Sequence, residues 1–318
     1  MRTEEALDLY RKMVEIRMFE EKAAELYTQG HIFGFCHLYT GQEAVIVGIS
    51  QNFTSTDSVI TSYRDHGHLL ALGVEPRYVM AELCGKITGC SKGKGGSMHL
   101  YNRLRNFYGG NGIVGAQVSI GTGLAFAHKY KSDGGISFTF FGDGAANQGQ
   151  VYESFNMAAL WKLPALYILE NNRYALATSA ERSTVRNSLK KRGDPFGIRT
   201  ICSDGMNLLE IIQKSREATN QVRERSEPVI LNIDTYRYKG HSMSDPGTYR
   251  TRSEVETVRK SRDPIDNYGN VLQKDYGLSM KILETINDDA VEKMEIAAKF
   301  AIDSQFPKEE NLRSDILI

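Results

Sequence analysis

The chain has 318 residues, enough for one large core, and 39 Lys and Arg balance 39 Asp and Glu, so bulk charge predicts neither nucleic-acid nor membrane binding. No stretch approaches about 18 consecutive apolar residues, so no transmembrane helix is expected; the acidic start Met1-Arg-Thr-Glu-Glu-Ala6 is unlike a targeting segment. Cys36, Cys84, Cys90 and Cys202 form no C-x-x-C pair and read as small core residues of a cytoplasmic, reduced protein.

Thr3 reads as the cap of a helix whose first turn carries Glu4 and Glu5, the sign that a helix dipole favours. Met13, Ile16, Phe19, Ala23 and Leu26 recur at helical spacing as a packing stripe, and Gly30 can end the helix. Residues 31–41 form a loop containing His37, and a helix follows from about Gln42. A short strand over 58–62 ends in Tyr63-Arg64-Asp65-His66, where Arg64 suits a phosphate, a carboxylate or a structural ion pair equally well.

Residues 85–117 are too rich in glycine for regular structure. Within them Gly110-Asn-Gly-Ile-Val-Gly115 fits G-x-G-x-x-G, with Asp133 standing 18 residues beyond Gly115. No clear strand precedes Gly110, however, and Asp133 sits in a Lys-Ser-Asp-Gly-Gly turn, which argues against a dinucleotide site. The small residues Gly115, Ala116, Gly121, Gly123 and Ala125 then begin a closely packed helix.

The sharpest signal lies in 136–174. The apolar run Ile136–Phe141 reads as a buried strand ending in Gly142-Asp143-Gly144. A helix over about 148–161 leads to a second strand, Ala165–Leu169, ending in Glu170-Asn171-Asn172. Strand–helix–strand order sets both tips at one sheet edge, so Asp143 and Asn172 should meet. One anionic oxygen, one neutral oxygen and a loop carbonyl suit Mg2+. Beyond it come a polar loop over 173–197, a helix over 207–225 and a strand over 229–234. A long loop, 236–252, carries His241, Ser242, Ser244 and Asp245. The tail is helical, with Ile282, Ile286, Val291, Met294 and Phe300 as its apolar positions.

Twenty-six residues, 145 to 170, separate Gly-Asp-Gly from Asn-Asn, which is similar to the thiamine-diphosphate motif. Together with Gly142-Asp-Gly-Ala-Ala-Asn-Gln-Gly149, the strings Lys92-Gly-Lys-Gly-Gly-Ser-Met-His99, Phe107 to Gln117 and Tyr236 to Pro246 carry a wider likeness. From about Met13 to Pro264 the chain resembles the alpha subunits of the pyruvate dehydrogenase component of 2-oxo-acid dehydrogenase complexes. The resemblance implies one α/β domain over 1–318: a mainly parallel sheet with helices on both faces, of the diphosphate-binding type. It implies thiamine diphosphate and Mg2+ as cofactors, with Asp143, Asn172 and the Tyr174 carbonyl on the metal. Gly144 and Ala145 would approach the diphosphate by their backbone, and Gly112 and Val114 would lie near the thiamine rings. Tyr63, Arg64 and His241 would serve the diphosphate and substrate channel, and His37 and His241 the chemistry.

The implied reaction is oxidative decarboxylation of pyruvate, with transfer of the acetyl unit to a lipoyl group of a dihydrolipoyl acetyltransferase. The implied assembly is an alpha2-beta2 heterotetramer with a beta subunit. Acetoin and branched-chain 2-oxo-acid dehydrogenase alpha subunits share the metal motif, but His241-Ser-Met-Ser-Asp-Pro246 looks more like the pyruvate enzymes. A non-catalytic relative would have no reason to keep Arg64, Asp143, Asn172 and His241 together.

Overall fold

In the computed structural model, which describes residues 1–185 and 188–315, helix α1 spans Thr3–Thr28 and α2 spans Glu43–Ser50. Strand β1, Ser58–Ile60, precedes the short helices α3, His66–Ala71, and α4, Pro76–Leu83. After the glycine-rich segment, α5 (Ala116–Lys131) leads to β2 (Ser137–Gly142), and α6 (Gly149–Leu160) leads to β3 (Ala165–Asn171). A small hairpin, β4 (Tyr174–Ala175) and β5 (Thr178–Ser179), and helix α7 (Ala180–Ser183) follow. Then come β6 (Arg199–Asp204), α8 (Leu208–Arg225) and β7 (Val229–Asp234). Helices α9 (Arg252–Arg262), α10 (Pro264–Tyr276) and α11 (Met280–Asp303) complete the order. No described helix is long and apolar enough to cross a membrane.

Five strands form one wholly parallel sheet in the order β1-β2-β3-β7-β6. Side chains alternate across it. Phe138, Phe140, Leu166, Ile168, Val229 and Leu231 join one core with α1, α2 and α8. Phe141, Ala165, Tyr167, Leu169 and Ile230 join the other, with α5 and α6. Burial on both faces makes β2, β3 and β7 read as near-continuous apolar runs, interrupted by Thr139 and Asn232, which is why the sequence shows them. Helix α5 lies so close to β2 that a Cβ on Gly121 would overlap Thr139 Oγ1.

Several expectations are corrected. Thr3 is the first helical residue rather than the cap; Arg2 takes that place, and its N–H donates to Glu5 Oε2 at 3.0 Å. Strand β1 stops at Ile60, where its pairing with β2 ends; Thr61 keeps only an N–H bond to the Gly109 carbonyl at 3.2 Å. Strand β6 was not expected, since on this edge strand exposed Arg199 and Cys202 interrupt the apolar signal. Cys202 is therefore exposed and not a core residue. Helix α9 was also missed; none of its residues is fully buried, and its apolar face is only Val255 and Val258, too short a pattern to mark a helix. In the tail, Ile282 and Val291 face solvent, while Leu283, Ile286, Ala290, Met294 and Ala297 pack inward. Of the polar loop 173–197, Arg186 and Asn187 lie outside the described residues.

The glycine-rich segment has an internal reason for its composition. Glu82, fully buried near the end of α4, accepts the backbone N–H groups of Ser91 (2.7 Å), Gly93 (2.8 Å), Gly95 (2.7 Å) and Gly96 (3.2 Å). The loop wraps the chain's own carboxylate as other loops wrap an anionic ligand. Glu82→Ala is expected to lower stability by on the order of 3 kcal/mol, because several buried donors lose a charged acceptor at once. Urea unfolding checks this; an unchanged midpoint would contradict it.

Candidate active site

Strands β2 and β3 end side by side, with Gly142 paired to Glu170, so Asp143 and Asn172 emerge together as expected. A cleft of about 330 Å³ opens there, outside the carboxyl ends of the strands, where parallel sheets bind ligands. Tyr63, Arg64, Val114, Asp143, Gly144, Ala145, Asn172, Tyr174 and His241 all line it. Gly144 has to be small, since a Cβ there would sit 2.5 Å from Ala175 Cβ. His37 stands just behind the lining; its ring centre is 4.3 Å from Tyr63 and 5.0 Å from His241. Gly112 is outside the lining, and a Cβ on it would meet the His99 ring at 3.1 Å.

The electrostatics are those of an anion site with a place for a cation. Arg64 donates to the carbonyls of Leu38 and, at 2.9 Å, His241. Arg237 donates to the carbonyls of Tyr174 (3.1 Å) and Lys239 (3.2 Å) and to the Tyr249 hydroxyl (2.8 Å). Both guanidiniums are buried, and neither has a carboxylate partner among the described residues. Burial and the neighbouring Arg237 push the Arg64 pKa down to about 10, and burial lowers that of Arg237. Two unpaired buried cations are an unfavourable arrangement unless an anion joins them.

Asp143 is 2% exposed, its Oδ2 has no partner among the described residues, and burial pushes its pKa up to about 6. A divalent cation there would remove that penalty. Among the described residues no three His, Cys, Asp or Glu side chains are grouped to hold a metal by themselves. A cation would rest on the Asp143 carboxylate, the Asn172 amide oxygen, the Tyr174 carbonyl and oxygens brought by its ligand. That sparse oxygen set fits Mg2+ carried with phosphate better than a protein-caged metal.

Burial, then the positive Arg64, pushes the pKa of His37 down to about 2 and that of His241 to about 3. Both are neutral near pH 7 and have an unpartnered Nδ1 among the described residues. They can exchange hydrogen bonds with a polar substrate without adding charge. Asp245 shapes the loop that carries His241, accepting the N–H of His241 at 2.6 Å and the Tyr249 hydroxyl at 2.8 Å. The rejected dinucleotide motif stays rejected, since Asp133 accepts from His128 at 2.8 Å and from the Gly135 N–H at 2.9 Å within its turn.

Sequence reasoning missed Gln42 and Arg237 and gave Glu170 no role, although all three line the cleft. Arg237 stands four residues before His241 in Tyr236-Arg-Tyr-Lys-Gly-His241, so the motif contained it without marking it as a cleft residue. Glu170 accepts a hydrogen bond from the buried Tyr39 hydroxyl, and burial pushes its pKa up to about 7.

Residues 11–310 match the family described as dehydrogenase E1 component. A Zymomonas mobilis protein named pyruvate dehydrogenase E1 component subunit alpha is 50% identical, over 99% of this chain and 89% of its own length. A Rickettsia bellii protein of the same name is 51% identical, over 99% of this chain and 96% of its own. A mitochondrial counterpart from Dictyostelium discoideum is 45% identical, over 99% of this chain and 83% of its own.

Proposed function

The chain belongs to the dehydrogenase E1 component family, and from that premise we propose that it works as the alpha subunit of a pyruvate dehydrogenase. Its reaction is oxidative decarboxylation of pyruvate, with the acetyl unit passed to a lipoyl group on a dihydrolipoyl acetyltransferase. The family depends on thiamine diphosphate, which when bound supplies the nucleophilic carbon and the electron sink that decarboxylation requires. Residues 1–318 act as one diphosphate-binding domain.

In this reading Asp143, Asn172 and the Tyr174 carbonyl would hold Mg2+, which would offset the charge of the diphosphate. The Gly144 and Ala145 backbone approaches the phosphate oxygens, and Tyr63, Arg64 and His241 close over them. Arg237 adds a second buried positive charge and ties Tyr174 to the 236–252 loop. Val114, in the cleft lining, would pack against the thiamine rings, and Gly112 would lie near them. His37 and His241 present neutral imidazoles to the substrate.

One observation supports the reading most. Two buried guanidiniums without carboxylate partners and one buried carboxylate oxygen without a donor, among the described residues, converge on a single cleft. An anion carrying a divalent cation satisfies all of them together. The test is carbon dioxide release by this chain assembled with its beta subunit and acetyltransferase. Pyruvate is expected to exceed acetoin and branched-chain 2-oxo acids as substrate. Preference for a branched-chain 2-oxo acid or acetoin would move the chain to that branch of the family.

A further inference from the structure

Gln42, just before α2, is 1% exposed and lines the cleft. Its Oε1 accepts a hydrogen bond from Asn172 Nδ2 at 2.9 Å. The donor and acceptor ends of this amide pair follow from a third contact. The Tyr174 backbone N–H donates to the other arm of the Asn172 side chain at 3.4 Å, so that arm is the oxygen. The amino group therefore faces Gln42, and Gln42 presents its oxygen. Gln42 Nε2 is left without a partner among the described residues.

The backbone around Gln42 is firmly held. Its N–H donates to the Tyr39 carbonyl at 3.1 Å. The adjacent Glu43, fully buried, accepts from Arg17 Nε at 2.5 Å and from the Gly41 N–H at 2.9 Å. Arg17 reaches Asp263 at 3.1 Å as well, tying α1, α2 and α10 together behind the cleft. A side chain on so fixed a base can set the orientation of another.

We infer that Gln42 is a positioning residue for the cation side of the cleft: it turns the Asn172 amide so that Oδ1 faces the cation, and it keeps Nε2 as a neutral donor for a phosphate oxygen. An unrestrained amide has two orientations about 180° apart, and one of them points N–H groups at the metal. Residues that orient metal ligands act by removing such alternatives. The inference rests on the cation and diphosphate site proposed above.

The test is calorimetric titration of Mg2+ into the assembled enzyme in the presence of thiamine diphosphate. Gln42→Met, close in shape but without an amide, is expected to weaken Mg2+ binding about tenfold. Asn172→Ala should then weaken binding much less in the Gln42→Met background than in wild type, because the two residues act as one unit. Gln42→Glu keeps an acceptor for the Asn172 amino group, so the full effect of Asn172→Ala should remain there. A general packing role for Gln42 would leave the effect of Asn172→Ala equal in all three backgrounds, and that equality overturns the inference. If Gln42→Met fails to assemble, Gln42→Leu, also without an amide, is titrated in its place, and an undiminished Asn172→Ala effect in it is equally fatal. Failure of the underlying site reads differently, since the wild-type enzyme would then bind neither Mg2+ nor thiamine diphosphate.

Discussion

Purified without its beta subunit, the chain should release no carbon dioxide from pyruvate when given thiamine diphosphate and Mg2+, and adding the beta chain should restore release. Thiamine chemistry requires a carboxylate beside the cofactor's aminopyrimidine. Among the described residues only two carboxylates line the cleft, Asp143 and Glu170. Asp143 is a proposed ligand of the cation. Glu170 is on β3, two residues before Asn172, and is occupied by the Tyr39 hydroxyl. With Asp143 among the proposed metal ligands and Glu170 held by Tyr39, neither lining carboxylate is free to act as that acid. The described residues form one five-stranded parallel sheet and one two-stranded hairpin, with no second α/β unit among them to supply the acid. Loss of a positioned acid–base group alone lowers rates by roughly 10²–10⁴-fold, and an incomplete cofactor site adds to that. Release is measured from labelled pyruvate for alpha, beta and the mixture. Turnover by beta-free alpha chain near the rate of the mixture would contradict the account, and its loss in Glu170→Gln would then identify Glu170 as the acid.

The second large effect belongs to Asp143. Asp143→Ala should weaken Mg2+-dependent binding of thiamine diphosphate by more than about 100-fold, since it removes the one carboxylate from the proposed ligand set. Asn172→Ala removes a neutral oxygen and should weaken binding less. The fold should survive Asp143→Ala. Oδ2 has no partner among the described residues, so deleting it breaks no bond to that atom and removes a desolvated charge. Far-ultraviolet circular dichroism and thermal melting should match wild type or show slight stabilisation. Wild-type affinity in Asp143→Ala would show that the metal lies elsewhere.

The parts legible in the sequence are those with a local signature. Strands β2, β3 and β7 are apolar on both faces, and the Asp143 and Asn172 motifs sit at two of their tips. The α1 stripe was legible because Met13, Ile16, Phe19, Ala23 and Leu26 repeat with the helix period, and all are buried. What was hidden depends on partners distant in sequence. Arg17 and Glu20 share the buried face of α1, which apolar periodicity would not place there; they are stabilised by Glu43 and His66. Gln42 matters through Asn172, 130 residues away, and Glu82 through a loop that closes back on it. Strand β6 pairs only with β7, so its exposed positions kept polar side chains.

The central claim is that this cleft binds thiamine diphosphate through a cation on Asp143 and Asn172. Isothermal titration of the assembled enzyme with thiamine diphosphate, with Mg2+ and again with the metal chelated, tests it most directly. Saturable binding at one site per alpha chain is expected with Mg2+, weakened by at least about tenfold without it. Affinity that is equal with and without Mg2+, or absent in both, would contradict it.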